Sequence, residues 1–137
     1  MFERQFYKMA GIELEKKWDS FFVLRDKQRE EDLFKKVCIS LPYAFIHDDV
    51  RYPIDLKKIT SALSWVKPDT TLTDNIFDWG TLIERAEEVH VIDSSFMFLV
   101  DCLECTNPKQ RLFVHRYARQ NAPWNMPLLK KRWEILV

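Results

Sequence analysis

Residues 89–103 read Val89-His-Val-Ile-Asp93-Ser-Ser-Phe-Met-Phe-Leu-Val-Asp-Cys-Leu103. The first four are β-branched but for His90, and such a short apolar run fits a strand buried on both faces. It stops at Asp93-Ser94-Ser95. Phe96, Leu99, Val100 and Leu103 then recur at i, i+3, i+4 and i+7, which predicts a helix that begins at once. Strand, tight polar turn and helix in direct succession are half of a βαβ unit and point to a parallel sheet.

The neighbouring sequence repeats that grammar. Upstream, Asn75 can cap a helix with Trp79, Leu82, Ile83 and Ala86 on one side and Glu84, Glu87 and Glu88 on the others. Downstream, Arg111-Leu-Phe-Val114 reads as a strand. Earlier, Tyr43-Ala-Phe-Ile46 is an almost fully apolar run that closes in His47-Asp48-Asp49. Ser64-Trp-Val66 is a shorter strand candidate, and Leu56, Ile59 and Leu63 predict a helix over residues 55–63. Before residue 41 the pattern is helical. Phe2, Phe6 and Met9 share a face that Gly11 ends, residues 12–19 carry Trp18, and Asp26 caps a helix through Val37, with a short strand or extended segment at Phe21–Leu24 between. Pro123 and Pro127 break the tail, with one helical turn expected at Leu128–Arg132. The expectation is one α/β domain over residues 1–137, with a helical segment at 1–40 and a parallel-sheet core at 41–137.

Composition removes several function classes. The 137 residues include 21 basic and 21 acidic side chains, so the net charge is zero and the electrostatic footprint of a nucleic-acid binder is missing. No uncharged apolar run approaches the ~20 residues of a transmembrane helix. The 14% aromatic content supplies a core without disulfide or metal staples. The two glycines, Gly11 and Gly80, are too far apart for a glycine-rich phosphate loop. Of the three cysteines, Cys102 and Cys105 form a lone C-x-x-C at the end of a helix, where two small core residues are expected and neither a zinc site nor a redox pair is. The N-terminus is not a signal peptide, and a cytoplasmic location is the default.

The polar residues gather at strand ends. His47-Asp48-Asp49, Asp93-Ser94-Ser95 and His115-Arg116-Tyr117 each close an apolar run, and a parallel sheet puts all three on its carboxyl edge, where open α/β sheets bind ligands. Ser94 and Ser95 stand where a helix presents free N–H groups and its positive end, and they read either as plain N-caps or as an anion site that needs no glycine. From Thr106 onward there are seven basic residues and one acid, and Arg116 and Arg119 would stand beside the serines. His90, inside its strand, reads as a packed histidine. His47 is the stronger candidate for chemistry, with Asp48 or Asp49 to orient it and raise its pKa. A hydrolase or redox centre on His47 or on Cys102 and Cys105 lacks a paired constellation.

The stretch Ile83–Phe96, with Tyr43–Asp49 and Leu112–Arg119 around it, resembles the second domain of bacterial GT-B glycosyltransferases that build cell-surface polysaccharide. With Phe2–Arg25 the likeness covers most of the chain. It implies a Rossmann-like, mostly parallel sheet flanked by helices that holds a nucleotide-sugar donor. The turn carried here by Asp93, Ser94 and Ser95 would lie by the donor diphosphate, and the segments after Ile46 and Val114, with His47, Asp48, His115, Arg116 and Arg119, would line the same cleft. Transfer in that fold needs no bound metal and no cofactor, because protein donors stabilise the leaving diphosphate. One departure stands out. A GT-B enzyme has two such domains, and a first domain does not fit in the ~40 residues before Tyr43. The implied alternatives are a fragment of a longer protein, a half that works with a partner chain or a second copy, or a domain without catalysis. A non-catalytic interaction or dimerisation module, using the aromatic surplus at Phe2, Phe6, Phe21, Phe22, Trp124 and Trp133, is the competing expectation.

Overall fold

A computed structural model describes residues 2–105, 107–120 and 126–137. The expected break at Pro123, the patch residue Trp124 and the side chain of Phe2 lie outside them. The chain forms α1 (Phe2–Met9), α2 (Lys16–Asp19), α3 (Lys27–Val37), β1 (Tyr43–His47), β2 (Ser64–Val66), α4 (Gly80–Arg85), β3 (Glu88–Val91), α5 (Ser95–Cys102), β4 (Arg111–His115) and β5 (Trp133–Leu136). The five strands among the described residues are all parallel, in the order β2-β1-β3-β4-β5. This is a single small α/β domain with a Rossmann-like sheet. Chain order along the sheet reverses between β1 and β3, since β2 lies to one side of β1 and β3, β4 and β5 follow on the other.

Alternation along each strand sorts the side chains onto two faces. Tyr43, Phe45, Val89, Val91, Leu112 and Val114 form one face. They are buried against Leu33 of α3, Trp79, Leu82 and Ile83 at α4, and Phe96, Leu99 and Val100 of α5. Ile46 and Ile92 turn the other way and pack with Ile54, Tyr52, Ile59 and Ala118. The second face is therefore covered by the β1–β2 connection and by the 3₁₀ turn Arg116–Arg119 that follows β4.

Local chemistry explains the element ends. Asp26 caps α3 by accepting from Arg29 N at 3.0 Å. Gly11, at φ +68°, closes α1 in the left-handed region that favours glycine. Asn75 Oδ1 accepts from Phe77 N at 3.0 Å and starts a 3₁₀ turn, Ile76–Trp79, that runs into α4. The helix expected from Asn75 is thus two pieces.

Three further expectations differ from the structure, and one loses an alternative. Residues 55–63 hold only the 3₁₀ turn Leu56–Lys58, because Ile54 and Ile59 rather than a helical stripe face the sheet and Leu56 stays exposed. Of the two readings of Phe21–Leu24, the strand is removed, and Phe22 and Leu24 are 81% and 88% exposed. Leu128–Arg132 is not helical, because Asp101 takes the N–H groups of Lys130 and Lys131 at 2.9 and 3.0 Å. Glu84 and Glu88 do not face solvent. Glu84 is buried against Arg25, and Glu88 opens β3. The tail Trp133–Leu136 becomes β5, which only its pairing with β4 defines. Among the described residues, no helix is long and apolar enough to cross a membrane.

Candidate functional site

β1, β3 and β4 are adjacent and parallel, so His47, the Asp93–Ser95 turn and the Arg116–Arg119 turn all emerge at the carboxyl edge. The strand order reverses between β1 and β3, and doubly wound sheets hold their ligands in a crevice at that point of the edge. Ser94 occupies the N-cap position of α5 in extended backbone (φ −141°, ψ 179°), yet its side chain does not cap the helix. Its Oγ lies 3.1 Å from His47 Nδ1, which joins the ends of β1 and β3 at the switch point. The His47 ring stacks on Phe96, the second residue of α5, with centroids 4.2 Å apart. Ser95 is exposed on the first turn.

Burial pushes the His47 pKa down to about 4, against the upward pull of Asp48 and Asp49. This reverses the expected raised pKa, because burial outweighs the two carboxylates, which are themselves held by other partners. Lys67 Nζ donates to Asp48 at 2.8 and 2.9 Å, and Ile54 N donates to it at 3.0 Å. Arg51 holds Asp49 through two side-chain bonds of 2.9 and 3.1 Å. His47 is therefore neutral at pH 7. A neutral imidazole and a serine hydroxyl own two protons, and their mutual bond uses one. The pair keeps one proton to donate outward, from Nε2 or from Oγ.

Asp93 is 2% exposed and does not open onto the crevice. Arg116 Nη1 donates to its Oδ2 at 3.1 Å, and Arg119 Nη1 lies 3.6 Å from Oδ1 and donates to the Asp93 carbonyl at 2.7 Å. Burial pushes the Asp93 carboxyl up, while the two guanidinium groups pull it down. Both guanidinium groups thus lie against the one Asp93 carboxyl.

His115 is at the same edge but on the other face of the sheet from His47. It is 0% exposed, and both its ring nitrogens are engaged, with His90 and with Tyr117. It does not line the crevice. His90 is buried, as expected of a packed histidine. Cys102 is half-buried, and burial followed by the Asp101 charge raises its thiol pKa. Cys105 is exposed rather than in the core, and no disulfide joins the two. Among the described residues, no group of three or more His, Cys, Asp or Glu side chains could hold a metal ion.

Sequence reasoning overlooked Lys67, Phe96 and Trp79 as site residues. With His47, Asp69 and Thr73 they line a cavity of about 240 Å³ beside the crevice. Lys67 directly follows β2, so its place at a strand end was the available signal. A larger depression of about 420 Å³ lies away from this edge, between Phe21–Val23 and the end of α5. Of its four charged lining residues, Arg25 and Lys27 both pair with Glu84. No family model, curated protein or solved structure matches this chain.

Proposed function

We propose that the crevice between β1 and β3 binds the diphosphate of a nucleotide sugar, and that the chain serves as the donor-binding half of a cytoplasmic glycosyltransferase. One observation carries the reading. The Ser94 hydroxyl leaves its own helix uncapped and turns to His47, so the amide end of α5 and one outward proton converge at the switch point of the sheet. Those groups suit an anion, since a helix N-terminus contributes up to ~2 kcal/mol toward a partly buried one. Arg116 and Arg119, gathered by Asp93, stand alongside as guanidinium donors. The cavity beside Phe96 and Trp79 accommodates an uncharged ring of the same ligand.

The test is titration of UDP, GDP, CDP and ADP into the ¹⁵N-labelled protein. A half-site gives a Kd of roughly 0.1–1 mM, or about −4 to −5.5 kcal/mol. Ser94→Phe, Ser95→Phe and Arg116→Ala each weaken it at least several-fold. If none of the four diphosphates moves amide peaks or the melting temperature at millimolar concentration, the reading fails.

A second reading has its own observation. Phe6, Met9, Phe22 and Leu24 are 60%, 82%, 81% and 88% exposed, an apolar surplus suited to a partner domain or a second copy. A monomer by sedimentation that binds nucleoside diphosphate favours the first reading over this one.

A further inference from the structure

The sheet face away from α3, α4 and α5 buries a polar chain that crosses two strands. His90 Nε2 lies 3.0 Å from Glu88 Oε2, and His90 Nδ1 lies 2.9 Å from His115 Nε2. His115 Nδ1 lies 2.9 Å from the Tyr117 hydroxyl, which accepts from Asp55 N at 2.9 Å. The His90 ring stacks flat on Phe113, with centroids 4.5 Å apart. Glu88, His90 and His115 are each under a tenth exposed.

Both ends of the chain fix its direction. Burial pushes the Glu88 carboxyl up, but hydrogen bonding and the charges of His90 and Arg111 more than offset it, so Glu88 is an acceptor. At the far end Asp55 N–H can only donate. One assignment satisfies every link with neutral rings: Tyr117 O–H donates to His115 Nδ1, His115 Nε2–H to His90 Nδ1, and His90 Nε2–H to Glu88. Both histidines are then Nε2–H tautomers.

The chain ends inside the turn that carries the site's arginines. Tyr117 lies between Arg116 and Arg119, and its ring sits under Lys58 Nζ at 3.8 Å. We propose that Glu88, His90, His115 and Tyr117 form a one-way hydrogen-bonded strut that sets the Arg116–Arg119 turn over Asp93, making His115 and Tyr117 positioning residues for the anion site. This role rests on the diphosphate reading of that site. A proton added to the chain must reverse a link. With His115 Nδ1 protonated, the Tyr117 hydroxyl has to turn its proton elsewhere. The charged groups that act on the rings are Lys58 and Asp48 for His115, and Glu88, Arg111 and Glu134 for His90.

The experiment has two arms. Long-range ¹H–¹⁵N correlations at pH 7 are expected to show both rings as Nε2–H, and an Nδ1–H tautomer at either ring overturns the strut. UDP titration is then run on Tyr117→Phe, His115→Leu and His115→Gln. Phenylalanine deprives Asp55 N–H and His115 Nδ1 of their partner, and leucine cuts the chain, so each weakens UDP binding about tenfold. Glutamine can donate to His90 and accept from Tyr117, so it stays within about threefold of wild type. Wild-type protein that binds UDP while the folded phenylalanine and leucine variants bind it equally well overturns the positioning role. Wild-type protein that binds none of the nucleoside diphosphates overturns the reading beneath it.

Discussion

Replacing Asp101 with alanine tests how the two ends of the chain are held to the sheet. Asp101 is 1% exposed in α5, and its two oxygens receive four protons. Trp18 Nε1 and Lys130 N donate to Oδ2 at 3.0 and 2.9 Å, and Trp133 Nε1 and Lys131 N donate to Oδ1 at 2.9 and 3.0 Å. One carboxylate thus ties α2, α5 and the lead-in to β5. The two indoles are partly exposed and can recover water, so the backbone amides carry most of the loss. At about 1.5–2 kcal/mol for each bond to a charged acceptor, Asp101→Ala costs about 3–4 kcal/mol. That is a large share of the 5–15 kcal/mol typical of a domain. Asp101→Asn keeps one acceptor oxygen but turns an amide N–H₂ against two donors, so its loss falls between wild type and alanine. Urea unfolding followed by tryptophan emission measures both, and Trp18 and Trp133 report directly on the site. An alanine variant within 1 kcal/mol of wild type refutes the reasoning.

Three other outcomes follow from the packing. Burial holds His47 and His115 near a pKa of about 4, whereas the unfolded chain protonates them near 6.5. The unfolded state therefore binds more protons between those values, and stability falls as pH drops. For two such histidines the loss between pH 7 and pH 5 is about 3–4 kcal/mol, and urea midpoints that do not change over that range contradict it. Gly80→Ala would bring a Cβ within 2.5 Å of Arg25 Nη2 and 2.9 Å of Glu30 Oε2. Helix propensity alone favours alanine by about 1 kcal/mol, but crowding of this buried ion cluster reverses the sign to a loss of about 1–3 kcal/mol, so a variant that melts higher than wild type is the contrary result. Phe45→Ala opens the centre of the main core and costs about 3–5 kcal/mol in chemical denaturation, a loss under 1 kcal/mol being the refutation.

Periodicity was enough for the parallel α/β architecture and for three polar strand tips on one edge. Apolar runs such as Tyr43–Ile46 and Val89–Ile92, alternating with helical patterns, fit strands buried on both faces, and parallel strands must share a carboxyl edge. Asn75 and Asp26 were readable as caps because a cap acts within three residues of itself. What pairs with what was not readable. β5 is a strand because β4 offers it an edge, and residues 128–132 are not helical because Asp101, some 30 positions earlier, takes their amides. Alternation along β1 and β4 put His47 and His115 on opposite faces, so two histidines that look alike at the ends of their strands have different surroundings. Burial likewise decided the protonation of His47 over its two neighbouring aspartates, whose charges were already met by Lys67 and Arg51. Local pattern sets where an element begins and which way it runs, while the partner of each polar atom depends on chain segments tens of residues away that only the folded sheet brings together.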